Sequence, residues 1–204
     1  MRTALFYDTE TQSLPLWNLP SEDPDQPHIV QLAACLVDLD KRETISSMDV
    51  IIKPDGWVIP DDVAAIHGIT TEYADAFGVD ESLAVGMFMS LWERSQRRIA
   101  HNESFDARIL RIALMRTRDP MTADTWKAGL AECTQILSTP ILKLPPTAKM
   151  IAARRNHHKS ANLGEAFEFF TGQKLEGAHR AMVDVQACMS VWFAIQDRAL
   201  AAAA

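Results

Sequence analysis

The chain has 204 residues, 48% hydrophobic and 23% charged, a composition that fits one globular domain over 1–204 and excludes a disordered tail or a coiled coil. No apolar run approaches the ~18 residues of a membrane span, and the start MRTALFYDTETQS meets Asp8 too early for a secretory signal. Three scattered cysteines without a CxxC pair exclude a disulfide framework and point to a cytoplasmic setting, while the net charge of −7 argues mildly against a nucleic-acid partner.

Thr3–Tyr7 reads TALFY and predicts a buried strand that stops at Asp8. Residues 11–27 carry four prolines and several acids and predict a loop. Trp17 is read as its anchor, with base stacking as the alternative. Ile29–Asp38 and Thr44–Lys53 predict two further strands, whose short connection favours an antiparallel meander. Asp61–His67 predicts a short helix broken by Gly68. Over Ser82–Arg97, Leu83, Met87, Phe88, Leu91 and Trp92 recur at helical spacing and define an apolar face. A short strand at Arg98–Ala100 leads into a helix over Glu103–Arg118, with Phe105, Ile109, Ile112 and Ala113 inward and Asn102 as its N-cap. A brief strand at Ala131–Cys133 is followed by a proline-broken loop at 139–149. Leu163–Thr171 and Arg180–Leu200 predict the last helices, the second burying Ala181, Val185, Cys188, Val191, Trp192 and Ile195. This order predicts an α/β layer with a mixed sheet. Between 143 and 159 the bases Lys143, Lys149, Arg154, Arg155 and Lys159 stand without an acid, a candidate phosphate contact on an acidic protein.

Three acidic features sit where a core is expected. Asp8 and Glu10 project to the same side of their strand, so the pair must hold a proton, bind a cation or lie past the strand in solvent. Asp106 occupies the first turn of its helix, where the dipole alone would favour an acid. Asp184 shares a helical face with Ala181, Ala187 and Cys188 and therefore points at the sheet, which is expensive for an unpaired carboxylate. His179 stands at the mouth of the same helix. Four carboxylates without Cys or clustered His ligands suit Mg²⁺ or Mn²⁺. Two such ions about 4 Å apart would serve in-line displacement at phosphorus, and His179 would accept the proton of the attacking water.

Phe6-Tyr7-Asp8-Thr9-Glu10-Thr11, His101-Asn102-Glu103-Ser104-Phe105-Asp106 and His179-Arg180-Ala181-Met182-Val183-Asp184 together resemble the DnaQ-like 3′–5′ exonucleases, in their DEDDh branch. Ile66-His67-Gly68-Ile69-Thr70 is similar to a segment of the proofreading epsilon subunits of bacterial DNA polymerase III. The resemblance implies an RNase H-like fold with a five-stranded mixed sheet and flanking helices. It implies two Mg²⁺ or Mn²⁺ ions, with Asp8 bridging both, Glu10 and Asp184 completing one site, Asp106 serving the other, and His179 as general base. It further implies single-stranded DNA with a free 3′ end as substrate, nucleoside 5′-monophosphates as products, and a polymerase as a partner. Thr11 would hold the 3′-OH, and Ile66, His67 and Phe105 would line the pocket for the last nucleotide. His101 and Asn102 would support the turn that carries Asp106, on the substrate side. The stretch 139–159 departs from the family as an elaboration, and its basic residues Arg154 and Arg155 are read as a grip on the backbone. An RNA 3′ exonuclease or oligoribonuclease, and a non-catalytic binding module on the same fold, are the alternatives. Asn156-His157-His158 resembles an HNH nuclease only superficially, since no partner His or metal set accompanies it.

Overall fold

The computed structural model describes residues 1–203. Its sheet has the order β3-β2-β1-β4-β5. At its centre lies β1 (Thr3–Thr11), antiparallel to β2 (Ile29–Asp38), which in turn pairs antiparallel with β3 (Glu43–Ile51). On the other side β1 runs parallel to β4 (Arg98–Ala100), and β4 parallel to β5 (Ala131–Cys133). The predicted meander and mixed sheet are both present. β1, however, continues past Asp8 to Thr11, because β2 supplies partners along its whole length: Asp8 faces Ala33 and Glu10 faces Gln31. The two acids are therefore strand residues.

Side-chain alternation along β1 sends residues to two helical layers. Leu5 and Tyr7 pack against α3 (Glu81–Trp92), α4 (Glu103–Thr117) and α5 (Pro120–Ala128); Ala4 and Phe6 pack against α9 (Ala181–Ala203). Between β3 and α3 lie α1 (Asp61–His67) and α2 (Thr71–Phe77). Gly68, at φ 76°, ends α1 in the left-handed conformation that glycine adopts most readily. After β5 come α6 (Thr134–Leu142), α7 (Ala148–Ala152) and α8 (Leu163–Thr171). Among the described residues no helix is long and apolar enough to cross a membrane.

Several expectations are corrected. α3 stops at Trp92, not Arg97, since the chain must turn into β4; Gln96 already donates its N–H to Thr3 O at 3.1 Å. Its buried face is Ala84, Val85, Phe88 and Met89, while Leu83 and Met87 are exposed. Apolar side chains occupy α3 on more than one side, so spacing alone could not select the face. Asn102 does not cap α4: it adopts φ 64° and makes no side-chain cap. α5 falls where no element is predicted, and α6 runs on to Leu142, into the stretch 139–149 expected to be loop. Pro120 occupies the first turn of α5, where a missing N–H is harmless, and Asp119 caps it through Thr122 N at 2.9 Å.

The acidic loop after β1 is pinned by α4. Arg108 donates to Ser21 Oγ at 2.6 Å and Leu19 O at 2.5 Å, and Arg116 to the carbonyls of Gln26 and Pro27 at 3.1 Å. Gln26, 1% exposed, bonds Leu16 and Pro20 from within. Trp17, expected as the loop's anchor, is instead 61% exposed.

Below the sheet end, buried Arg98 donates to Glu103 Oε1 at 2.7 Å, and Tyr7 Oη to the same oxygen at 3.0 Å. The guanidinium lies 4.2 Å over the Trp126 ring. Glu103→Ala would strand this buried cation, and a loss of about 3 kcal/mol is expected in urea unfolding.

Candidate active site

Asp8 and Glu10 continue the Ala4–Phe6 side of β1 and so face the layer that contains α9. From α9, Asp184 points back at them, and its Oδ2 accepts the His179 backbone N–H at 3.0 Å. His179 sits at φ 66°, a sharp entry that brings its ring alongside. One ligand atom each of Glu10, His179 and Asp184 lie within 4.8 Å of one another.

Asp106 arrives by another route. β4 is three residues long and pairs with β1 only as far as Phe6. Beyond it, the Thr9 N–H facing that side has no strand partner and must find another acceptor. Asp106 Oδ1 takes it at 2.9 Å and also accepts the Thr9 hydroxyl at 2.7 Å. The short strand thus draws the α4 carboxylate to the end of β1. Thr9→Val removes one of these two bonds while keeping the shape, and a roughly tenfold fall in activity is expected from the loosened carboxylate.

The electrostatics tie all four acids together. Burial drives Asp8 well above the usual carboxylate range, and the charges of Asp106, Asp184 and Glu10 push it further. Glu10 is raised to about 7 by burial and then by Asp184. Asp106 is raised to about 8, chiefly by burial, against the opposing pull of the Thr9 bonds. Burial also raises Asp184, against the backbone bond and charge of His179. Asp184 Oδ1 is buried with no hydrogen-bond partner. A buried orphan oxygen in a cluster whose acids all repel Asp8 fits a site for hard divalent cations.

A pH dependence follows. The metal-free folded chain keeps protons on carboxyls that the unfolded chain releases near pH ~4. Stability is therefore fully present below that pH and is lost as pH rises through about 7 for Glu10 and about 8 for Asp106. In EDTA the melting temperature is expected to be lower at pH ~9 than at pH ~6 by about 5 °C or more, and millimolar Mn²⁺ should remove most of the difference.

The remaining predicted site residues divide. His67 is buried and near His179 and Arg180; burial first, then these two, lower its pKa. Its Nδ1 accepts the Ile69 N–H at 3.1 Å, which leaves the proton of the neutral ring on Nε2, itself buried without a partner. Ile66 is 57% exposed beside it. Thr11 is buried and donates to Ser13 O at 2.8 Å. Phe105 packs on the α3–α5 core. His101 uses both ring nitrogens inside the fold, with Thr134 Oγ1 at 2.9 Å and Ala161 O at 3.0 Å. It thereby fixes the turn from which Asn102 leads into α4. Arg154 and Arg155 are exposed on the turn after α7 and make no ion pair or hydrogen bond with the acids among the described residues.

The family model described as exonuclease (RNase T) matches residues 5–192. The chain belongs to this exonuclease family. No curated protein matches the exonuclease by sequence. Among solved structures, it superposes on the exonuclease I structure that was used to explain processivity, with TM-score 0.72 and 20% identity, over 97% of this chain and 41% of that one. The E. coli exonuclease I complex with a dA16 oligonucleotide gives the same values. The zinc-ion-bound complex of E. coli exonuclease I with single-stranded DNA gives TM-score 0.71 at 19% identity, again over 97% and 41%. The chain thus spans about two fifths of the length of these structures. The likeness shows the fold, the RNase H-like α/β arrangement of a five-stranded mixed sheet flanked by helices. The resemblance to the DnaQ-like exonucleases holds at the level of the family.

Sequence reasoning missed two contributors. Thr9 stands between two acids and carried no signal, because its role depends on β4 being short. Gln31 Oε1 accepts the Ala181 N–H at 3.2 Å and fastens the start of α9 to β2 opposite Glu10. A polar residue inside the apolar run of β2 was the available clue.

Proposed function

We propose that this exonuclease hydrolyses phosphodiester bonds from the 3′ end of single-stranded DNA and releases nucleoside 5′-monophosphates. Asp8, Glu10, Asp106 and Asp184 would hold two divalent cations, Mg²⁺ or Mn²⁺. The observation that carries the reading is the orphaned Asp184 Oδ1 among buried carboxylates raised by burial and mutual repulsion, with the His179 ring within ligand distance. When bound, such a pair of ions activates water and stabilises the developing charge on phosphate.

The chain's own groups do the rest. His179 takes the proton of the attacking water on a ring nitrogen. Asp184 holds the His179 backbone, and so the approach of the ring. Thr11 meets the 3′-terminal sugar. Ile66, Phe105 and the Nε2–H of His67 line the terminal nucleotide, and Arg154 and Arg155 contact the phosphate backbone farther out. Residues 1–204 act as one exonuclease domain, and the Ile66–Thr70 block supports a polymerase as partner, in a cytoplasmic setting.

The test uses one oligonucleotide labelled at either end, incubated with Mn²⁺. The 3′ label is expected to leave first as a mononucleotide, with EDTA abolishing release and single-stranded DNA cut faster than duplex DNA or RNA. Prior release of a 5′-labelled mononucleotide, or full activity in EDTA, contradicts the proposal.

A further inference from the structure

Beside the acid cluster lies a cleft of about 310 Å³, bordered by Gln31, Asp49, Tyr73, Phe77 and Arg180. Its volume falls in the range of small-ligand sites. Gln31 places it: this residue faces Glu10 across the β1–β2 ladder, and its side chain joins Asp49 at 2.7 Å to the Ala181 N–H at 3.2 Å. The cleft therefore adjoins the cluster at the same end of the sheet.

Tyr73 and Phe77, one turn apart on α2, are 50% and 69% exposed, yet their rings lie 4.9 Å apart. Inclined at 51° to one another, the two rings form an open aromatic corner, not a piece of core. Arg180 follows His179 directly and lies against Gly68, with Nη1 3.6 Å from the position a Cβ would occupy. Arg98, Arg111 and Arg116 each pair with a carboxylate, whereas Arg180 pairs with none among the described residues. An unpaired guanidinium and an exposed aromatic pair, next to a phosphodiester-cleaving centre, match the two elements that hold single strands: a cation on the phosphate and a ring on the base.

We propose that this cleft is a binding subsite for the nucleotide on the 5′ side of the scissile phosphate, with Arg180 on its phosphate and Tyr73 and Phe77 under its base. The proposal rests on the nuclease reading above, in which the terminal nucleotide sits with Thr11, Ile66, His67 and Phe105. It assigns the strand a path out of the site across α2. Asp49, already engaged by Gln31, keeps an oxygen free to accept from a base edge.

The test compares the affinity of the whole chain, in EDTA, for octathymidylate and for thymidine 5′-monophosphate. Arg180→Gln, and the double variant Tyr73→Ala/Phe77→Ala, are each expected to weaken octathymidylate binding about tenfold, with thymidine 5′-monophosphate binding changed less than twofold. Arg180→Lys, which keeps the charge but not the planar fork, should fall between. The altered side chains are solvent-facing, so circular dichroism and melting temperature serve as fold controls. Unchanged octathymidylate affinity in variants of a wild type that digests this oligonucleotide with Mn²⁺ overturns the subsite alone. Equal weakening for mononucleotide and oligonucleotide overturns it as well, since the residues would then belong to the terminal pocket. A wild type that neither binds nor digests the oligonucleotide overturns the nuclease reading and the subsite together.

Discussion

Asp8→Asn is expected to lower the rate of 3′-end hydrolysis by about 10²–10³-fold, the equivalent of roughly 3–4 kcal/mol of lost transition-state stabilisation. The same variant, free of metal at pH ~8, is expected to melt at or above the wild-type temperature. Both effects have one cause. Asp8 is partly buried, and its charge is opposed by Asp106, Asp184 and Glu10. Removing that charge relieves repulsion in the metal-free chain and withdraws a ligand from the cations. Ordinary damage to the core would lower stability and activity together. Single-turnover digestion and a thermal melt in EDTA separate the two outcomes, and a variant with wild-type activity would remove Asp8 from the site.

His179→Ala tests a different part. Its ring lies close enough to Glu10 and Asp184 to be a metal ligand as well as a base. As the base, its loss is expected to lower kcat about 10²-fold or more, with KM and calorimetric Mn²⁺ affinity changed only a few-fold. A large parallel loss of Mn²⁺ affinity would make the imidazole a ligand. The ring is exposed, and its backbone bond to Asp184 survives the substitution, so the fold should not intervene.

Much of this site was legible along the chain. The pair Asp8 and Glu10 followed from strand alternation, and Asp184 from sharing a helix face with small apolar residues. β2 and β5 were found with the observed bounds, as were β4, α1 and α8, since β2 is a nearly continuous apolar run and α1 and α8 end on Gly68 and Gly172. What stayed hidden depends on distant partners. The reach of Asp106 to Thr9 depends on the place where β4 ends. Arg108 and Arg116 hold a loop about ninety positions away in sequence, a relation that no local pattern encodes. Pro140 reads as a breaker, though it lies within α6. The exposure of Trp17 was equally invisible, since a tryptophan among prolines reads as a tether.

Anomalous diffraction from crystals soaked in Mn²⁺ tests the central claim most directly. The account predicts density enclosed by the carboxylates of Asp8, Glu10, Asp106 and Asp184, with one ion touching the now unpartnered Asp184 Oδ1. No anomalous density at this cluster at saturating Mn²⁺, or density bound elsewhere on the chain with these four side chains still empty, would contradict it.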